Sequence, residues 1–137
     1  MTEVTVSGSY PVSSEQLWEL IGGFNALPNW HPAVERSELE EGGSVRRLSL
    51  LGGGEIVERL EKMSDDEFAY TYSIVDSPLP VSEYSATLRL ENDGTGGCRV
   101  TWSGSFVPRG MPETDSRKVI EDIFRAGLDN LGRMFGR

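Results

Sequence analysis

The first residues alternate strictly between apolar and polar. Val4, Val6 and Tyr10 share one parity and Thr5, Ser7 and Ser9 the other, a period of two that predicts a half-buried strand. Pro11 closes it. Ser13 then opens a helix: its hydroxyl can cap the first turn, Gln16 completes a capping box, and Val12 with Leu17 forms a hydrophobic staple. Leu17, Trp18 and Ile21 give that helix an apolar face, and Gly22-Gly23 stops it. Between Phe24 and Pro32 the residues are mostly apolar, but Pro28 and Pro32 leave room for one short turn around Asn25 to Trp30.

From Ala33 to Phe106 the pattern is that of strands, near 33–40, 45–51, 55–63, 67–75, 83–91 and 97–106. Turn signals separate them: Glu41-Gly42-Gly43, Gly52-Gly53-Gly54, Ser64-Asp65-Asp66, Asp76-Ser77-Pro78 and Asn92-Asp93-Gly94. Tyr70, Tyr72 and Ile74 share a parity, as do Tyr84, Ala86, Leu88 and Leu90, and Cys98, Val100, Trp102 and Phe106. The intervening residues are largely Ser, Thr and Arg, so the sheet is antiparallel with one wet face. After Pro108 and Pro112, apolar residues recur at helical spacing from about Thr114 to Phe135. A helix of that length spans roughly 30 Å, the same as a strand of about nine residues, so it can lie across the sheet and cover its apolar face. The expected fold is α+β: a seven-stranded antiparallel sheet wrapped around a long C-terminal helix, with two short helices between strands 1 and 2. A lipocalin barrel or a dehydratase-type cone fits the element order less well.

The chain has 137 residues, the length of one compact domain, expected over 1–137. Its 22 acidic against 13 basic residues give a net charge of −9. Scattered Lys and Arg in an acidic chain argue against nucleic acid and against anionic membrane surfaces. One cysteine, Cys98, excludes an internal disulfide, and one histidine, His31, excludes the usual Cys/His zinc sets, so no metal is expected. With no long apolar run, neither membrane insertion nor export is expected, and a cytoplasmic location is.

The order of elements resembles the START/SRPBCC superfamily, and more closely its polyketide cyclase/dehydrase-like branch. That branch includes the plant abscisic-acid receptors and the birch-pollen-allergen-like proteins. The motifs are Phe24-x-x-x-Pro28-x-Trp30-His31-Pro32, Val57-Glu58-Arg59-Leu60, Tyr72-Ser73-Ile74-Val75 with Pro78-Leu79-Pro80, Glu83-Tyr84-x-Ala86-Thr87 and Val100-Thr101-Trp102. The resemblance implies the helix-grip fold and a largely apolar cavity between sheet and long helix, closed by loops near Trp30-His31-Pro32, Leu51-Gly52-Gly53-Gly54 and Ser77-Pro78-Leu79-Pro80. The second and third loops correspond to a gate and a latch in the hormone receptors. Here the gate is shorter and glycine-only and the latch lacks its His-Arg-Leu pattern, so hormone sensing is not carried over.

Strand parity turns Glu58 inward with Ile56 and Leu60, where a carboxylate needs a partner or a shifted pKa. It is either a general acid/base or ligand anchor, or the partner of Arg46 near the mouth. His31 falls where the hormone receptors carry a carboxylate-binding lysine; it could bind a carboxylate or move a proton, or simply pack in its turn. Tyr70, Tyr72 and Tyr84 bring hydroxyls to the inner face. Trp30, Leu48, Leu50, Ile56 and Trp102 are expected ligand contacts, with Met111, Ile120, Phe124 and Leu128 as the helical wall. Gly127 within that helix makes room for a ligand or for a bulky residue such as Trp102. Cys98 reads as a small buried hydrophobe. The expected function is binding of a small hydrophobic ligand, lipid-like, aromatic or polyketide-like. The alternative is a cofactor-free cyclase, dehydratase or isomerase with Glu58 or His31 as general acid/base. A third reading, an interaction module, needs an exposed apolar patch around Trp30 and Leu79; the sequence specifies no protein partner.

Overall fold

Alternation of buried and exposed residues is complete in the first strand, β1 (Thr2–Tyr10), and it recurs along a single antiparallel sheet. A computed structural model describes residues 1–135; the last two positions of the expected domain, Gly136 and Arg137, lie outside the described residues. Among those described, the sheet has seven strands: β1, β2 (Val34–Glu40), β3 (Val45–Leu50), β4 (Glu55–Ser64), β5 (Ala69–Asp76), β6 (Val81–Asn92) and β7 (Cys98–Pro108). Their order across the sheet is β1-β7-β6-β5-β4-β3-β2, so β1 returns beside the last strand. Helix α1 (Ser14–Ile21) and a 3-10 turn (Leu27–Asn29) connect β1 to β2, and α2 (Glu113–Phe135) ends the described chain. No helix among the described residues is long and apolar enough to cross a membrane.

The local chemistry of α1 matches its sequence. Ser13 is the N-cap, its Oγ accepting from the Gln16 N–H at 3.1 Å, and the Gly22 N–H bonds back to the Trp18 carbonyl. Glu41-Gly42-Gly43, expected as a simple turn, forms one 3-10 turn with Gly42 at φ 72°. Strand β6 begins two residues before the expected position and β7 ends two after it. The ladder between them runs on through Val81↔Pro108 and Ser82↔Val107, past the proline-rich turn.

One join in the sheet is incomplete. Pairing of β5 with β6 stops at Ser73↔Ser85, although β5 continues against β4 to Asp76 and β6 begins against β7 at Val81. A bulge between Ser82 and Ser85, with Glu83 at φ 51°, marks the parting.

Helix α2 lies on the sheet through an aromatic cluster. Trp102 on β7 stacks on Phe124 with ring centroids 4.5 Å apart, and Trp30 packs against Trp102 at 5.5 Å. Tyr10 donates to the Leu128 carbonyl at 2.7 Å, and Asn130 Nδ2 donates to the Trp30 carbonyl at 2.9 Å. Gly127 is where these rings approach the helix most closely. A Cβ there would stand 2.9 Å from His31, 2.9 Å from Trp30 and 3.0 Å from Trp102. Of the two uses its sequence position allowed, Gly127 serves packing.

Gly127→Ala should therefore destabilise the protein. The alanine recovers about 1 kcal/mol of helix propensity, whereas forcing a methyl among three rigid rings costs about 1–3 kcal/mol. Urea denaturation monitored by tryptophan fluorescence should show a lower midpoint; a midpoint raised above that of the parent would contradict this packing.

Candidate functional site

β3 and β4 place Arg46 directly opposite Glu58, and both point to the inner face. Arg46 is fully buried, and its side chain is held on three sides. Nε donates to Glu58 Oε1 at 2.8 Å, and Nη1 donates to the Phe24 carbonyl at 2.6 Å and, at 3.5 Å, to the Tyr70 hydroxyl. The Phe24 ring lies 4.2 Å beneath the guanidinium carbon. Nη2 is 2.7 Å from the same Oε1, at ion-pair distance but poorly aligned for a hydrogen bond. Of the two expectations for Glu58, the Arg46 partnership is thus present, but deep in the core rather than near the mouth. Burial pushes the Glu58 carboxyl up from its ordinary value, and the Arg46 charge pulls it only part of the way back.

Arg46 engages a single oxygen of Glu58. Oε2 carries no hydrogen bond among the described residues, and Glu58 borders a pocket of about 180 Å³ between the sheet and α2. Leu48, Leu50 and Ile56 line it from β3 and β4, Ile74 and Tyr72 from β5, and Ile120 and Ile123 from α2. Trp102, Tyr84, His31 and Leu79 complete much of the wall, and Leu51 and Gly53 lie at the β3–β4 turn. The lining is overwhelmingly apolar.

Its polar groups other than His31 lie on neighbouring strands. Glu58 pairs across with Ile74, and Tyr72 with Ala86; Tyr84, two residues before Ala86, faces inward in the Glu58–Ile74 row. The Trp102 indole N–H donates to the Tyr72 oxygen at 3.1 Å, and the Tyr72 and Tyr84 oxygens are 3.2 Å apart. Burial, followed by each phenol's polar neighbours, raises both hydroxyls above their ordinary value, so they remain neutral donors.

His31 is buried at the pocket edge, but both of its ring nitrogens are occupied. Nδ1 accepts from the Ala33 N–H at 3.1 Å, which leaves the proton on Nε2 to be donated to the Ile123 carbonyl at 2.8 Å. Burial lowers its pKa, against the raising effect of the Ile123 bond. Of the readings open for His31, these contacts favour the one in which the ring packs in its turn: neither nitrogen has a free lone pair, although the residue lines the pocket.

Other expected contacts lie elsewhere. Tyr70 sits beyond Arg46, edge-on to Phe24 at 6.0 Å, and does not line the pocket. Trp30, Phe124 and Leu128 are buried in the aromatic cluster rather than in the pocket wall. Met111 precedes α2, is 40% exposed and borders a separate surface recess with Pro78 and Pro80. Because Trp30 is only 1% exposed, it cannot anchor the surface patch that an interaction module requires. Arg46 was legible only as a partner. Its parity with Leu48 and Leu50 was the signal for burial. Ile74 shares the parity of Tyr72, whereas Leu79 lies in a loop that periodicity cannot orient.

A family model described as polyketide cyclase/dehydrase and lipid transport matches residues 1–136. The chain belongs to the polyketide cyclase/dehydrase family. Within solved structures it is 40% identical to the protein XoxI from Bacillus cereus, covering 98% of this chain and 96% of that one, with a TM-score of 0.97. It shares 21% identity with the pathogenesis-related protein STH-21 of Solanum tuberosum, over 91% of this chain and 90% of that protein. The Zhui aromatase/cyclase from Streptomyces sp. R1128 matches with a TM-score of 0.81 at 17% identity, covering 99% of this chain and 94% of that one. At that identity the likeness is one of fold. In this member of the polyketide cyclase/dehydrase family, the pocket is the part of the grip that the aromatic cluster leaves unfilled.

The locked histidine has a thermodynamic consequence. His31 takes up a proton more readily in the unfolded chain, so the stability it contributes is present above pH 6.5 and is lost as pH falls from there through its lower folded value. The slope can approach about 1.4 kcal/mol per pH unit. Glu58, raised in the folded state, contributes a slope of opposite sign, so the informative quantity is a difference between proteins. Urea titrations between pH 5 and 7.5 should show a shallower rise of stability with pH in His31→Gln than in the parent; identical slopes would contradict the assignment.

Proposed function

We propose that this domain binds a small, largely apolar molecule, of one or two rings or a short acyl chain, in the pocket between sheet and α2. The observation that carries the reading is the pocket itself: apolar walls that converge on Glu58, Tyr72 and Tyr84. Ligand sites combine such walls with a few polar groups that fix orientation. The volume of about 180 Å³ sets the size. An engineered apolar cavity of about 150 Å³ holds benzene, so a long lipid or a four-ring polyketide exceeds this space unless its walls move. Membership of a family described in terms of polyketide cyclisation, dehydration and lipid transport supports ligand binding in general and leaves the ligand to this geometry.

A second reading, a cyclase, dehydratase or isomerase, is favoured by one observation: Glu58, Tyr72 and Tyr84 line the same pocket. Glu58 would exchange a proton with substrate while a phenol stabilises a developing oxyanion. His31 has no part in it.

Thermal unfolding against a panel of neutral one- and two-ring compounds tests the binding reading. A true ligand at about 100 times its Kd adds about 2.7 kcal/mol and raises Tm saturably. Ile56→Phe, which places a ring in the pocket, should abolish that shift without lowering the ligand-free Tm. If no compound shifts the parent, or if the shift survives in Ile56→Phe, the reading fails. Should a compound be turned over, Glu58→Gln is expected to lower kcat by about 10²–10⁴ with binding retained.

A further inference from the structure

The pocket's hydrogen-bond inventory does not close. The Trp102 indole is a pure donor, so the Tyr72 oxygen must accept at that contact. Either Tyr72 then donates to Tyr84, or Tyr84 donates to Tyr72. In the first case the Tyr84 proton is left without a partner among the described residues; in the second, the Tyr72 proton is. One phenolic donor is therefore spare whichever way the chain runs, and both phenols line the pocket.

The same pocket lining holds a spare acceptor. Arg46 Nε donates to Glu58 Oε1, with Nη2 at ion-pair distance from the same oxygen, and Oε2 has no donor among the described residues. The guanidinium keeps its charge when buried, so it requires a carboxylate beside it, and Glu58 is that carboxylate. Arg46 itself does not border the pocket; its Nη1 turns to the Phe24 carbonyl and Tyr70. His31, at the pocket edge, has no free nitrogen. The pocket lining thus offers one spare phenolic donor and one carboxylate oxygen, and it contains no cationic side chain.

We infer that the ligand carries a neutral hydroxyl, a phenol, enol or alcohol, that donates to Glu58 Oε2 and accepts from the spare tyrosine hydroxyl. The inference rests on the pocket-binding reading and narrows it. A hydroxyl is both donor and acceptor, so it is the single group whose chemistry matches both. A ketone satisfies the tyrosine alone. A carboxylate, sulfonate or phosphate meets the Glu58 charge in a poorly solvated space with no free cation to offset it, where like-charge repulsion is strongest. The site is thereby selective against anions.

Three probes with one ring system separate the possibilities: 2-naphthol, 2-naphthoate and 2-methylnaphthalene, titrated into the whole protein at pH 7.5 by fluorescence and calorimetry. 2-Naphthol should bind at least about tenfold more tightly than 2-naphthoate, a charge penalty of the size expected for an unpaired like charge. The double variant Tyr72→Phe/Tyr84→Phe, which removes the spare donor whichever phenol carries it, should weaken 2-naphthol by about three- to tenfold, the worth of one hydrogen bond, and leave 2-methylnaphthalene within about twofold. In Glu58→Gln the preference for naphthol over naphthoate should shrink severalfold. The tyrosine double variant gives an independent reading if loss of the Glu58 charge impairs folding. Naphthoate binding as tightly as naphthol overturns the inference. Methylnaphthalene binding as tightly as naphthol also overturns it, while leaving the pocket reading intact. If none of the three binds, both fall together.

Discussion

A guanidinium cannot shed its proton to escape a low-dielectric core, so burying Arg46 obliges its surroundings to supply charge and acceptors. Glu58 faces it across the β3–β4 ladder, the Phe24 carbonyl comes from the loop after α1, and the Phe24 ring covers its face. Those partners come from two separate parts of the chain, so one side chain fixes how they meet. A one-residue slip between β3 and β4 would turn one partner outward and leave the other charged and alone, at a cost of about 3–5 kcal/mol. The pair thus acts more as a register lock than as a source of stability. It also leaves one oxygen of Glu58 uncommitted beside an apolar pocket.

The other half of the grip is closed by rings. Trp30, His31, Trp102 and Phe124 fill the space between the sheet and α2 that the helix-grip arrangement could have left open, and Gly127 lets them reach the helix backbone. The pocket is therefore lopsided: closed by the Trp102 ring toward β7, aliphatic toward β3, β4 and α2. Trp102 belongs to both regions. It stacks on Phe124 and lends its indole N–H to the Tyr72–Tyr84 pair, so packing and polar patterning at the pocket floor are not independent.

The fold was legible because its signals are local and repeated. Period-two alternation marked the strands, Ser13 and Gln16 marked the start of α1, and the apolar recurrence from about Thr114 marked α2. Parity also turned Glu58, Tyr72 and Tyr84 inward. What parity cannot supply is depth along the inner face. Tyr70 and Tyr72 share a parity, yet Tyr72 lines the pocket while Tyr70 packs against Phe24 and Arg46 outside it. Phe124 and Leu128 share the inner stripe of α2 with Ile120, yet aromatic rings reach them first. The sequence left His31 open between chemistry and packing for a related reason: its partners, the Ala33 amide and the Ile123 carbonyl, are backbone groups, one of them 92 residues away. Backbone partners leave no trace in side-chain pattern.

Beyond Ser73 and Ser85, β5 and β6 run on without a ladder between them, and Ile74 and Tyr84 span the interval. The same two residues also line a polar recess on the far side, with Asp76, Glu83 and Arg109. That part of the wall is therefore one side chain thick. Elsewhere in the sheet, parting two strands means breaking consecutive backbone hydrogen bonds in concert. Here the barrier is the rotamer well of an isoleucine and a single phenol–phenol bond, so the wall's compliance is that of side-chain torsions and not of a sheet.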